Sequence, residues 1–229
     1  MRALLDLLLP VECGGCSASG AIFCGTCCGS FAESPRLLRP RRECGVPVWT
    51  LASYEGAARE LVVNLKERGR ADLVPVAGYF LARGIFALCT QGDVDDPRLA
   101  PLVLAPAPSR WLAARGRGGD PVRAVARAGA RALARRLAPP GTAVSSPDVT
   151  ACSLLRFAPG VRDSVGLSAA QRWRNVAGKV RVRERVGELP AAVLIVDDVI
   201  TTGALVSESV RALHAAGVHV WGAVTLAAA

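Results

Sequence analysis

A chain of 229 residues with 51% hydrophobic content and a formal charge of +9 is long enough for one α/β core and leaves a segment over. No run reaches the roughly 18 uninterrupted apolar residues of a membrane helix, so a soluble protein without membrane insertion is expected. Only Lys66 and Lys179 are lysines among the 28 basic residues, and arginine's planar fork suits phosphate oxygens. The arginines are interleaved with Ala and Gly and form no block. Net charge by itself reports non-specific attraction, so nucleic acid stays a candidate partner and not an assigned one.

The first residues, Met1 to Pro10, carry Asp6 inside an apolar run too short for a secretory signal, which points to the cytoplasm and to reduced thiols. Residues 1–45 hold six of the eight cysteines between Gly, Ser and Pro. They cannot bury a core of their own, and a Cys-rich segment over 1–45 followed by one domain over 46–229 is expected. Cys13-Gly-Gly-Cys16 and Cys24-Gly-Thr-Cys27 are two C-x-x-C knuckles, each able to turn tightly round a metal ion. Together they offer four thiolates at tetrahedral reach, the pattern of a closed structural Zn²⁺ site. An iron–sulfur cluster and disulfides are the alternatives, and Cys28 and Cys44 compete as ligands. Cys89 and Cys152 have no partner in spacing and read as core residues.

Beyond Pro47 the pattern turns to strands and helices. A strand is expected at Val48 to Tyr54, a helix at Ala57 to Glu67 stopped by Gly69, and a buried helix at Val74 to Cys89. A short strand at Leu102 to Ala105 closes in Pro106-Ala-Pro-Ser-Arg110, and Arg115-Gly-Arg-Gly-Gly-Asp120 reads as a flexible loop. Val122 to Leu137 is a helix of strong formers ended by Pro139-Pro140-Gly141. Ser145 to Arg162 carries no readable pattern. Ser168 caps a short helix to Ala177, and Val180 to Val186 alternates like a half-exposed strand. The last third is the clearest: strand Ala192 to Asp197, a turn, helix Ser207 to Ala216, and strand Val218 to Leu226. Such a βαβ unit demands a parallel sheet.

The stretch Val193 to Ala204 starts as a strand apolar on both faces and sets Asp197 and Asp198 where it runs out, at the sheet edge where ligands bind in open α/β folds. The turn Thr201-Thr-Gly-Ala204 leads into a helix, so its backbone N–H groups, the helix dipole and the hydroxyls of Thr201 and Thr202 suit a phosphate. Asp197 and Asp198 are placed to accept from ribose hydroxyls, with hydrated Mg²⁺ beside a diphosphate. Adjacent strand residues face opposite ways, so both can serve one ligand only if the strand twists out at Asp198. The plain reading of the same residues is an acidic pair and a Gly turn that merely cap the next helix.

The order of apolar strand, acidic pair, hydroxyl-rich Gly turn and helix resembles the sugar-diphosphate loop of type I phosphoribosyltransferases. Together with the cysteines, Tyr54-Glu-Gly56, Lys66-Glu-Arg-Gly69, Ala107-Pro-Ser-Arg110, Arg115-Gly116 and Gly166-Leu-Ser168 with Arg172 and Asn175, the chain is similar to the ComF family of bacterial proteins. That resemblance implies an α/β type I phosphoribosyltransferase fold with a central, mostly parallel sheet plus a small zinc-binding module. It implies a site for 5-phosphoribosyl 1-diphosphate with Mg²⁺. Ser109 and Arg110 would hold the diphosphate, and Arg115, with Arg117, would form a lid. Two functions follow as alternatives: transfer of the phosphoribosyl group to a nitrogen acceptor, or non-catalytic sensing of the sugar diphosphate by a module that binds single-stranded DNA during DNA uptake. The sequence departs from the family pattern at Leu205, where a second hydroxyl residue is usual, and at Ser164-Val165, where a Gln is usual.

Overall fold

The computed structural model describes residues 11–109, 119–138, 148–161, 168–183 and 188–229. A one-turn helix α1 (Gly25–Cys28) lies in the cysteine segment and is followed by β1 (Arg36–Leu38), β2 (Val48–Thr50), α2 (Gly56–Lys66) and α3 (Val74–Gln91). Then come β3 (Leu102–Pro106), α4 (Pro121–Leu137), β4 (Val149–Ala151), β5 (Leu155–Phe157), α5 (Ala169–Val176), β6 (Val180–Val182), β7 (Ala192–Ile200), α6 (Ala204–His214) and β8 (His219–Ala228).

Six strands form one sheet in the order β1-β2-β8-β7-β3-β4. Every pairing in it is parallel except β1 with β2. The molecule is therefore an α/β protein with a mostly parallel central sheet. Its apolar run explains why β7 sits in the middle. Val193 and Ile195 join a core with Val206, Val210 and Leu213 of α6, whereas Leu194 and Val196 join another with Leu61, Leu81 and Leu133 of α2, α3 and α4. A strand buried on both faces needs apolar residues at every position. The short β5 and β6 pair antiparallel outside this sheet.

Local signals set the helix ends. Asp120 caps α4 by accepting from the Arg123 N–H, with Pro121 in the first turn. Ser168 and Gln171 form a reciprocal capping box at the start of α5. Gly92, in the left-handed region, ends α3. Helix α3 with the turn before it, Ala71–Gln91, is long and apolar enough to cross a membrane by length and composition, at a mean hydropathy of 1.6, and half of it is buried within the fold. Phe80, Leu81, Ile85 and Leu88 supply its core face. It crosses α4 closely at Gly78, where a Cβ would fall 2.5 Å from that of Ala128.

The cysteine-rich segment docks on this body. Phe31 stacks on Phe80 with ring centroids 4.1 Å apart, the Arg83 guanidinium donates to the Phe31 carbonyl at 2.7 Å, and β1 forms an edge of the main sheet. Several element limits differ from the sequence expectation. Strand β2 ends at Thr50, and beyond it the chain keeps to β8 through isolated backbone bonds: the Leu51 N–H donates to the Thr225 carbonyl, the Ala228 N–H to the Ala52 carbonyl and the Tyr54 N–H to the Ala228 carbonyl. Strands β4 and β5 occupy the stretch that carried no readable pattern. Strand β7 runs on past Asp197 because β8 extends far enough to pair Ile200 with Ala228. Helix α6 begins at Ala204, directly behind Gly203, and not at Ser207.

Candidate functional site

Parallel strands present their carboxyl ends at one edge of the sheet, and there β7 carries Asp197 and Asp198. Alternation along the strand assigns Asp198 to the side of Leu194 and Val196, where α2 ends in Lys66. The Lys66 ammonium lies 2.7 Å from Oδ2 of Asp198. Oδ1 of Asp198 accepts from the Val199 N–H at 2.6 Å, and Oδ1 of Asp197 accepts from the Asp198 N–H at 2.9 Å. Both residues are buried, with exposures of 8% and 7%. Two buried carboxylates facing one ammonium leave negative charge uncompensated. Burial first, and the neighbouring Asp198 second, push the Asp197 carboxyl up to about 8, with Lys66 opposing them. Burial disfavours the Lys66 charge, yet Asp198 and Asp197 outweigh it and hold the ammonium protonated above its ordinary range.

The turn that follows leads directly into α6. Gly203 has φ of +81° and stands as the N-cap of α6 with no side-chain cap. Glycine takes that left-handed conformation without strain, and an uncapped helix start leaves its N–H groups available. Thr201 is exposed, while buried Thr202 offers its hydroxyl oxygen to the Ala204 N–H at 3.4 Å.

A cavity of about 550 Å³ opens over these residues, a size within the range of small-molecule sites. Asp197, Asp198, Thr201, Thr202, Gly203, Ala204 and Ser109, all singled out from the sequence, border it together. The regular run of β7 therefore does not separate the two carboxylates, because the cavity reaches both faces of the strand end. Ser109 reaches it from the end of β3, and its hydroxyl donates to Oδ2 of Asp120 at 2.6 Å, tying this segment to the start of α4. Arg110, Arg115 and Arg117 lie outside the described residues. Lys66 and Arg172, which the sequence left without a role, also line the cavity. The sequence cues to Lys66 are its place in Lys66-Glu-Arg-Gly69 and its position at the end of α2, after the buried Leu61, Val62 and Leu65, and neither cue assigns it a contact. His219 starts β8 opposite Ala192, at the far end of β7 from the carboxylates, and neither it nor His214 borders the cavity.

The knuckle cysteines form a second centre. The sulfurs of Cys13, Cys16, Cys24 and Cys27 all lie within 4.8 Å of one another. Cys13 and Cys27 are 3.7 Å apart, as are Cys16 and Cys24. A tetrahedral ion with bonds of about 2.3 Å requires sulfur separations of about 3.8 Å, so the four thiols fit a metal of zinc's size. Burial raises the Cys13 thiol, but N–H donors of Cys24, Gly15 and Cys16 outweigh it and bring the thiol down to about 6. Cys28 and Cys44 stand outside this group, and Cys44 is buried against Gly203. No protein-family model matches the chain, and no curated protein matches it.

Proposed function

We propose that this chain is a cytoplasmic ComF-family protein of type I phosphoribosyltransferase fold that binds 5-phosphoribosyl 1-diphosphate with Mg²⁺ and transfers the phosphoribosyl group to a nitrogen acceptor. One observation carries the reading: the acidic pair, the uncapped Gly203 turn and Ser109 all face one cavity at the carboxyl edge of a parallel sheet.

In this reading the turn Thr201 to Ala204 and the start of α6 hold the 5-phosphate, and Asp197 and Asp198 accept from the ribose hydroxyls. Ser109 and Arg110 hold the diphosphate, and Arg115 closes over it. Once Asp197 ionises, the acidic pair carries more negative charge than Lys66 neutralises, which suits a hydrated divalent cation nearby. Mg²⁺, when bound, supplies charge neutralisation at the diphosphate. The C1–O bond to diphosphate breaks as a bond from nitrogen to C1 forms, and the nitrogen's proton leaves to solvent. The cysteine cluster holds Zn²⁺ as a structural ion.

The test is calorimetry of the sugar diphosphate on the Asp197→Asn, Asp198→Asn double variant. Binding is expected to vanish with the fold intact, and undiminished affinity would remove the acidic pair from the site. Pyrophosphate release on adding amines then reads transfer.

One observation favours the second reading, a non-catalytic sensor that binds single-stranded DNA. Arg123, Arg127, Arg131 and Arg135 recur every fourth residue along α4, and all four are exposed. Successive members rise about 6 Å along the helix. The row starts beside Pro121 and Val122, which border the cavity. Sugar-diphosphate binding without turnover, with DNA affinity that falls steeply with salt, would favour this alternative.

A further inference from the structure

The anion-binding turn is held from behind by a short piece of the N-terminal segment. The Arg42 N–H donates to the Thr202 carbonyl at 3.0 Å. The Cys44 thiol, itself buried, lies between two carbonyl oxygens, 3.4 Å from that of Arg42 and 3.5 Å from that of Gly203, and so bridges the segment to the turn. A Cβ built on Gly203 would fall 2.8 Å from that of Pro40 and 3.0 Å from the Arg42 carbonyl, so this segment packs flush against the turn. The segment is fixed on its other side, since the Arg42 guanidinium carbon stands 3.2 Å from the centroid of the Trp173 ring on α5. None of residues 40–44 borders the cavity.

In a planar trans peptide the C=O and the N–H point in opposite directions. The Thr202 carbonyl is turned to the Arg42 N–H, and the Gly203 carbonyl, which accepts from the Ser207 N–H at 2.9 Å as the first bond of α6, also rests against Cys44. The next N–H groups, those of Gly203 and Ala204, therefore point away from these partners and toward the cavity that both residues line. The Ala204 N–H meets Thr202 Oγ1 only at 3.4 Å, a long contact that an anion's oxygen can displace. Two successive N–H groups aimed the same way form a concavity for an anion.

We infer that residues 40–44 are a positioning strap for the anion-binding turn, and that Cys44 acts on ligand affinity through Gly203 without touching the ligand. The inference rests on the phosphoribosyl reading above, and it makes the end of the cysteine-rich segment part of the supporting shell of the site.

Full-length native protein and the variants Cys44→Val, Cys44→Ala and Cys44→Ser are titrated with ribose 5-phosphate, which reads the turn, and with pyrophosphate, which reads the Ser109 segment. Val and Ala remove the donor, and Ser keeps one. Val and Ala should weaken ribose 5-phosphate about 3- to 10-fold, the effect of one modest hydrogen bond, and Ser should stay within about 2-fold. Pyrophosphate affinity should not change across the series. Unchanged ribose 5-phosphate affinity in folded Cys44→Val, or in Cys44→Ala if Val does not fold, overturns the strap. An equal loss for both ligands also overturns it, because that is general destabilisation. Native protein that binds neither ligand ends the phosphoribosyl reading and the strap with it, an outcome separate from any difference among variants.

Discussion

The Lys66 ammonium lies 2.7 Å from the Asp198 carboxylate, joining the last residue of α2 to the carboxyl end of β7. Lys66 is partly exposed, with 39% of its side chain accessible, while Asp198 retains only 10%. The pair thus falls between a surface ion pair and a buried one. Lys66→Met leaves two buried carboxylates without their cation and should cost about 1–2 kcal/mol at pH 8. Lys66→Arg should recover most of it. Urea unfolding of the three proteins at that pH measures the difference, and equal midpoints for Met and native would show the pair to be energetically idle.

Asp197 gives the apo protein a pH signature. Burial and the neighbouring Asp198 raise its folded carboxyl to about 8 from an ordinary value of 3.8. A group raised on folding contributes stability that is complete below its unfolded value and disappears as the pH climbs through its folded value. Stability should therefore fall between about pH 4 and pH 8, and Asp197→Asn, which cannot ionise, should flatten that fall. Ribose hydroxyls need the ionised form, so sugar-diphosphate affinity should rise over the same window with release of a proton. Calorimetry in two buffers of different ionisation heat counts that proton. Affinity that is flat from pH 6 to pH 9 would mean that Asp197 does not meet the hydroxyls.

How far the sequence revealed this site depended on chain distance. The run Val193 to Val196 is apolar at every position because the strand is buried on both faces, so the central strand was readable alone. The acidic pair and Gly turn follow it directly, and they came with it. Lys66 reaches Asp198 from across the fold, and Cys44 reaches Gly203 across 159 residues, and no local pattern encodes either contact. Strands β4 and β5 stayed hidden for another reason: at three residues each they are too short to show a period, whereas β6 falls at the start of the stretch Val180 to Val186 expected as a strand. The end of β7 was misplaced because β8 decides it, through the pairing of Ile200 with Ala228.

The four clustered thiols predict about one Zn²⁺ per chain in untagged protein, by elemental analysis. Cys27→Ser removes a buried ligand and should lose the metal. Cys28→Ser should keep it and stay within about 1 kcal/mol of native stability, since Cys28 lies outside the cluster. Equal metal loss in both variants would contradict the ligand set, and a metal-free, fully folded N-terminal segment would contradict the centre itself.

The arginine row on α4 makes a prediction about salt. If Arg127 and Arg131 each meet one phosphate of a single strand, Arg127→Ala with Arg131→Ala should reduce the slope of log affinity against log salt by about 1.4. Fluorescence anisotropy of a labelled oligonucleotide at several salt concentrations gives the slope. A slope that does not move would return these arginines to a solvated helix face.

Leu205 is the sharpest test of the proposed phosphate-binding role of the Thr201 to Ala204 turn, because the resemblance leads one to expect a hydroxyl there and the cavity is bordered by an apolar side chain instead. Leu205 also packs against the core of α6, β7 and β8, so Leu205→Thr gives up some apolar contact as it gains a donor. If the N–H groups of Gly203 and Ala204 supply most of the grip, the variant should bind the sugar diphosphate only modestly better, by about 0.5–1.5 kcal/mol, or up to roughly 3 where the charged phosphate accepts the bond. That result would establish a pocket competent as it stands, with the backbone doing most of the holding. A native protein with no measurable affinity, together with recovery in Leu205→Thr, would instead mean that this chain has lost its ligand through one residue. Parallel titrations of the two proteins at equal Mg²⁺ and salt separate the outcomes, and the second would end the transferase reading for this chain.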